Sequence, residues 1–81
     1  MERWRWKNSD FQAVQIKRGG PLPPGFCKGG GFDNSVVAYV TINGMPLPVR
    51  DGDWVRYGDS GNVLAVLTDQ RMREQAVSLE D

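Results

Sequence analysis

Ser35-Val36-Val37-Ala38-Tyr39-Val40-Thr41-Ile42-Asn43-Gly44 is the stretch on which the fold turns. Val, Ile, Thr and Tyr favour a pleated backbone, because branched and aromatic side chains pack well on a sheet surface. The two faces differ: Val36, Ala38, Val40 and Ile42 are uniformly apolar, whereas Val37, Tyr39 and Thr41 are mixed. The first set is expected to face the core. Asn43-Gly44 then suits a type I′ turn, since both residues tolerate positive φ, and the chain returns through Met45–Arg50 as the second arm of a hairpin. Pro46 and Pro48 cannot donate to a ladder, so that arm is an edge strand or a short, irregular one.

Toward the C-terminus, Asp51-Gly52-Asp53 reads as a turn and Trp54–Tyr57 as a strand. A second turn at Gly58-Asp59-Ser60-Gly61-Asn62 leads into a strand at Val63–Leu67. Thr68 precedes Asp69-Gln70-Arg71 as an N-cap hydroxyl with an acidic first turn, which starts a helix. Met72, Ala76 and Leu79 recur at i, i+4 and i+7 and predict its buried stripe, with Ser78–Asp81 fraying. Toward the N-terminus, Phe11–Ile16 is a short strand. Residues 17–34 hold six glycines and three prolines and read as an irregular loop, with room for one helical turn at Leu22–Cys27.

The expected fold is therefore α+β: a small, twisted antiparallel sheet of four to five strands, able to curl toward a half-barrel, with one C-terminal helix. Residues 1–81 form a single domain, in which 1–10 are open to flexibility. The expected core is Val36, Ala38, Val40, Ile42, Trp54, Val63, Ala65 and Leu67, joined by Phe11, Ala13 or Val14. A chain of 81 residues buries only roughly 60% of its unfolded surface, so this core is thin.

Composition narrows the chemistry. Ten Lys+Arg balance ten Asp+Glu, yet residues 1–28 carry six cations against Glu2 and Asp10, so the neutral total hides a basic N-terminal third. There is no histidine and one cysteine, which removes Ser-His and Cys-His catalysis, His-ligated metals and an intramolecular disulfide. The expectation is a non-enzymatic, cofactor-free cytoplasmic protein. The apolar run around Val36–Val40 is too short to span a bilayer, and no signal-peptide core follows Met1.

The second half also carries a recognisable order of elements. A hairpin leads into Val49-Arg50-Asp51-Gly52-Asp53-Trp54-Val55-Arg56-Tyr57, then Gly61, a strand, and a helix opened by Thr68-Asp69. This resembles a family of small uncharacterised proteins encoded by phages and prophages, whose common core is a Gly-Asp-aromatic turn. Phe11-Gln12-Ala13-Val14-Gln15-Ile16 matches the family's first strand, with Ile16 in place of an aromatic residue. The resemblance covers residues 11–16 and 36–72. It departs at Gly19-Gly20-Pro21-Leu22-Pro23-Pro24, where the family has a helix that this sequence cannot form. It implies a phage or prophage origin and a bacterial host cytoplasm, and no biochemical activity.

Two sets of residues are candidates for binding. Leu22, Phe26 and Phe32 place apolar surface in the long loop and would dock a host or phage protein. Arg3, Trp4, Arg5, Trp6 and Lys7, with Lys17, Arg18 and Lys28, are the alternative: cations for phosphates and indoles on which bases stack. In an extended chain Trp4 and Trp6 point one way and Arg3, Arg5 and Lys7 the other, so the structural alternative is an edge strand whose indoles cover the sheet while its cations stay in water. That alternative is favoured, because a thin core needs its large aromatics inside.

The remaining motifs carry less. Arg18-Gly19-Gly20-Pro21-Leu22-Pro23-Pro24 has the spacing of a polyproline ligand, a short pattern that arises often by chance. Gly25–Gly31 lacks the Gly-Lys-Ser/Thr ending of a phosphate loop. Asp51, Asp53 and Asp59 lack the accompanying groups of a calcium or catalytic site and fit turn chemistry. Cys27 is an incidental free thiol. A homodimer stays open through the Met45–Arg50 edge.

Overall fold

The computed structural model describes residues 2–29 and 34–79. Eight strands and one helix follow in the order β1 Glu2–Trp6, β2 Ser9–Gln15, β3 Phe26–Lys28, β4 Val36–Ile42, β5 Met45–Arg50, β6 Trp54–Tyr57, β7 Val63–Leu67, α1 Asp69–Gln75 and β8 Val77–Ser78. They form two antiparallel sheets, one of five strands in the order β7-β6-β2-β1-β8 and one of three in the order β3-β4-β5. The α+β class and a helix opened by Thr68 are as the sequence predicts, but the helix stops at Gln75 with Ala76 as an extended C-cap, so Leu79 is not part of its stripe. The strands divide between two sheets where the pattern alone suggested one.

The β4–β5 hairpin forms as expected. Ile42 pairs with Met45 across a two-residue turn in which Asn43 and Gly44 take φ of 52° and 79°. Thr68 caps α1, its hydroxyl accepting from the Arg71 N–H at 3.2 Å. Asp53 closes its own turn, its carboxylate accepting from the Arg50 N–H at 2.9 Å.

Three segments differ from expectation. Residues 2–6 form the favoured strand, with Trp4 on the core, but it is an inner strand and not an edge, held by β2 on one side and β8 on the other. Their hairpin was hard to foresee, because its turn is Lys7-Asn8 with Lys7 at φ 59°, a conformation that side chains other than Gly and Asn seldom adopt. Phe26–Lys28, inside the expected loop of 17–34, is a short strand on β4. The tail does not fray at Val77-Ser78: these residues pair with Arg5 and Trp4, and the Leu79 N–H donates to the Arg3 carbonyl at 2.8 Å.

Pleating sends alternate residues of the five-stranded sheet to opposite faces, and each face has its own core. On one side Trp4, Phe11, Ala13 and Trp54 meet Met72 and Ala76 from the helix and its C-cap, with Leu67 packed at the margin. The Trp4 and Trp54 rings meet edge to face, with centroids 5.0 Å apart. On the other side Ile16, Val55 and Tyr57 meet Ala38, Val40 and Val49 of the smaller sheet. The molecule is thus helix, sheet and sheet in three layers. Of the expected core, Val36, Ala38, Val40, Trp54, Phe11 and Ala13 are buried; Ile42, Val63, Ala65, Leu67 and Val14 are half-buried. Trp4, Ile16, Val49, Val55 and Tyr57 complete the interior.

Candidate functional site

The basic and aromatic N-terminal string is divided by the sheet it builds. Trp4 is 3% exposed and lies under α1, so its ring is not available to stack on a base. Trp6, on the same face, is 36% exposed, but cations already sit over its ring: Lys7 Nζ at 5.7 Å from the centroid and the Arg56 guanidinium at 5.3 Å. Arg56 also covers Phe11 at 4.3 Å, closing the open end of the aromatic cluster with a planar cation.

The cations do not gather into one surface. Arg5 is engaged by Asp10, its Nε donating at 2.6 Å and Nη2 at 3.2 Å. That contact raises the Arg5 pKa and holds the Asp10 carboxyl below its usual range, chiefly through the side-chain hydrogen bond. Lys17 and Arg18 lie beyond the end of β2 opposite the Lys7 turn. Arg18 is tied there by its N–H to Asp51 at 2.7 Å and by its guanidinium to the Asn34 carbonyl. Lys28 belongs to the other sheet.

The proposed protein-docking residues of the loop also fall differently from expectation. Leu22 and Phe26 are half-buried and pack against the core between the sheets, so they cover it and do not project from it. Their apolar contacts hold residues 22–26 against the body of the protein. Phe32 lies outside the described residues.

What the sequence reading missed is the outer face of the three-stranded sheet. Direct cross-strand partners share a face, and the register places Cys27 beside Tyr39, Tyr39 beside Pro48 and Thr41 beside Pro46. All five residues are exposed and none is charged. Tyr39 stands at the centre, 38% exposed, and Met45 at the hairpin tip is exposed as well. The alternation along Val36–Ile42 put Tyr39 and Thr41 on this side, and the two-residue turn fixed Pro46 and Pro48 opposite them. Nothing in the sequence, however, brought Cys27 to the same surface.

A second feature is an open cleft of about 200 Å³ against the opposite side of β2, lined by Arg3, Asp10, Gln12, Tyr57 and Asp59 among others. Burial pushes the Tyr57 phenol pKa up. Among the described residues no three His, Cys, Asp or Glu side chains cluster as a metal would need. No helix is long and apolar enough to cross a membrane. No family model, curated protein or solved structure matches the chain.

Proposed function

We propose that the chain is a small, non-enzymatic protein-interaction module of phage or prophage derivation, and that it docks through the uncharged patch of Cys27, Tyr39, Thr41, Pro46 and Pro48 on the outer face of the three-stranded sheet. One observation carries this reading: Cys27, Tyr39, Thr41, Pro46 and Pro48 form an exposed, charge-free surface in a chain a quarter of whose residues are charged. Surface depleted of charge and centred on an aromatic ring is the composition of an interface core. Prolines lose little conformational freedom on binding, which favours recognition by a preformed face. The partner is a protein with an apolar, uncharged patch of its own, and the phage pattern of the sequence makes a host protein the natural source.

The nucleic-acid reading has less support, since Trp4 is interior and the cations are dispersed over two sheets. The test compares three baits in capture from bacterial lysate: the wild type, Tyr39→Glu, an exposed change that leaves melting unaltered, and the double variant Arg3→Ala/Arg5→Ala. A protein retained by the wild type, lost by Tyr39→Glu and still held by Arg3→Ala/Arg5→Ala is the expected outcome. Identical capture by wild type and Tyr39→Glu overturns the proposal, as does a partner lost only with the arginines.

A further inference from the structure

Among the described residues, the four outer edges of the two sheets are not equally protected. β8 is two residues long and β3 three, too short to recruit another strand. β5 is protected by its prolines. In the two-residue hairpin Ile42 and Met45 form the hydrogen-bonded closing pair, so the nitrogens of Pro46 and Pro48 are those turned away from β4. Of the three positions that would donate outward, Pro46 and Pro48 carry no N–H and the Arg50 N–H is taken by the Asp53 carboxylate. The edge at which the sequence left a homodimer open is therefore blocked.

β7 has no such device. Val-Leu-Ala-Val-Leu is wholly apolar, yet none of its five residues is buried, and Leu64 is 48% exposed. It ends the five-stranded sheet, and among the described residues no backbone hydrogen bond reaches Val63–Leu67 from outside β6. Alternation fixes which groups are free. The Ile16 N–H donates to the Asp53 carbonyl at 2.8 Å, so Val14 and Val55 address each other, Trp54 and Arg56 address β7, and their partners Leu67 and Ala65 face inward. Val66 between them turns its N–H and C=O outward.

We infer that β7 is a self-association edge, on which a second copy of this chain pairs antiparallel about a two-fold axis at Val66. That residue exchanges both hydrogen bonds with its own copy, while Ala65 meets Leu67 on the helix side. The two five-stranded sheets become one of ten strands. A second copy is favoured by charge: two-fold pairing sets the strand against itself, and from Gly61 to Thr68 there is no charged residue to be repelled. A joint of about five residues lies below the roughly 1,200 Å² of standard interfaces, which makes the association a weak, transient one.

Sedimentation equilibrium of the full chain between about 10 μM and 1 mM tests this, with isotope-filtered NOE spectra on a mixed labelled and unlabelled sample. The expected result is a dimer with intermolecular NOEs confined to 63–68. Leu64→Lys should raise its dissociation constant about tenfold or more, while Tyr39→Glu leaves it unchanged. A chain monomeric to 1 mM overturns the inference. So does a dimer broken by Tyr39→Glu instead of Leu64→Lys, or one whose intermolecular NOEs fall outside β7. Failure here leaves the docking role of the Tyr39 face standing, because that face is on the other sheet.

Discussion

The side of the five-stranded sheet beneath α1 and the side beneath the three-stranded sheet are held by different means. Under the helix, a few large rings do most of the filling: Trp4, Trp54 and Phe11, with Met72 fitted between sheet and helix. Asp69 in the first turn of α1 ties the layers together. Its carboxylate accepts from Trp54 Nε1 at 2.8 Å, from Gln15 Nε2 at 3.4 Å and from Arg73 Nε at 3.0 Å. Between the sheets the filling is mostly aliphatic and spread over many residues, with Val14, Leu22, Phe26, Leu47, Val63 and Val66 packed around Ile16, Ala38, Val40, Val49, Val55 and the buried ring of Tyr57. The aromatic side concentrates its stability in few residues and one carboxylate, and the aliphatic side distributes it.

That contrast is broken most severely at Trp54. Trp54→Ala removes the centre of the aromatic side and the donor to Asp69, and should cost about 3–5 kcal/mol in denaturant unfolding, much of what holds so small a domain. Val49→Ala, fully buried on the aliphatic side, should cost about 2 kcal/mol, because the neighbours that share its burial partly close over the gap. If the two costs are equal, the concentration of stability on the aromatic side is wrong.

The carboxylate sharpens the comparison through pH. The hydrogen bond from Trp54, then that from Arg73, lowers the Asp69 pKa in the folded state. Its contribution is therefore fully present above the ordinary carboxylate range and is lost as pH falls through the lowered folded value. Asp69→Asn should reduce the melting temperature by more at pH 7 than at pH 2. The Val49→Ala deficit should be the same at both.

Much of this was legible in the sequence and some was not, for identifiable reasons. Val36–Arg50 announced itself because β-branched alternation, Asn-Gly and the prolines all agree. Thr68-Asp69 did so because a cap and a dipole-matched charge coincide. The strand at Glu2–Trp6 was legible in its alternation of indoles and cations, but its inner position was obscure because its turn uses Lys7 and its second neighbour is a two-residue strand no pattern can mark. The division into two sheets was hidden because β6 is buried on both faces: Trp54, Val55 and Tyr57 carry no alternation to say which layer each serves. The docking face required the register of β3, and Phe26-Cys27-Lys28 has no strand signal beyond its contact with β4.

The smallest effect expected is at the obscure turn itself. Lys7→Gly relieves the positive φ and should raise stability by about 0.5 kcal/mol, less whatever the Lys7 contact with Trp6 contributes. A loss on thermal melting would mean that the cation over Trp6 outweighs the backbone strain.

The short joint between β8 and β1 has a consequence for the order of events in folding. It links Val77-Ser78 to Trp4-Arg5, the widest sequence separation among the strand pairs, through only two paired positions. Loop-closure entropy must be met before so few contacts reward it, so the joint forms after the barrier has been crossed. Substitutions at Val77 or Ser78 should then speed unfolding and leave the refolding rate untouched, whereas those in the local β4–β5 hairpin should slow refolding. The strand that closes the sheet at its far edge is, on this account, the first to let go.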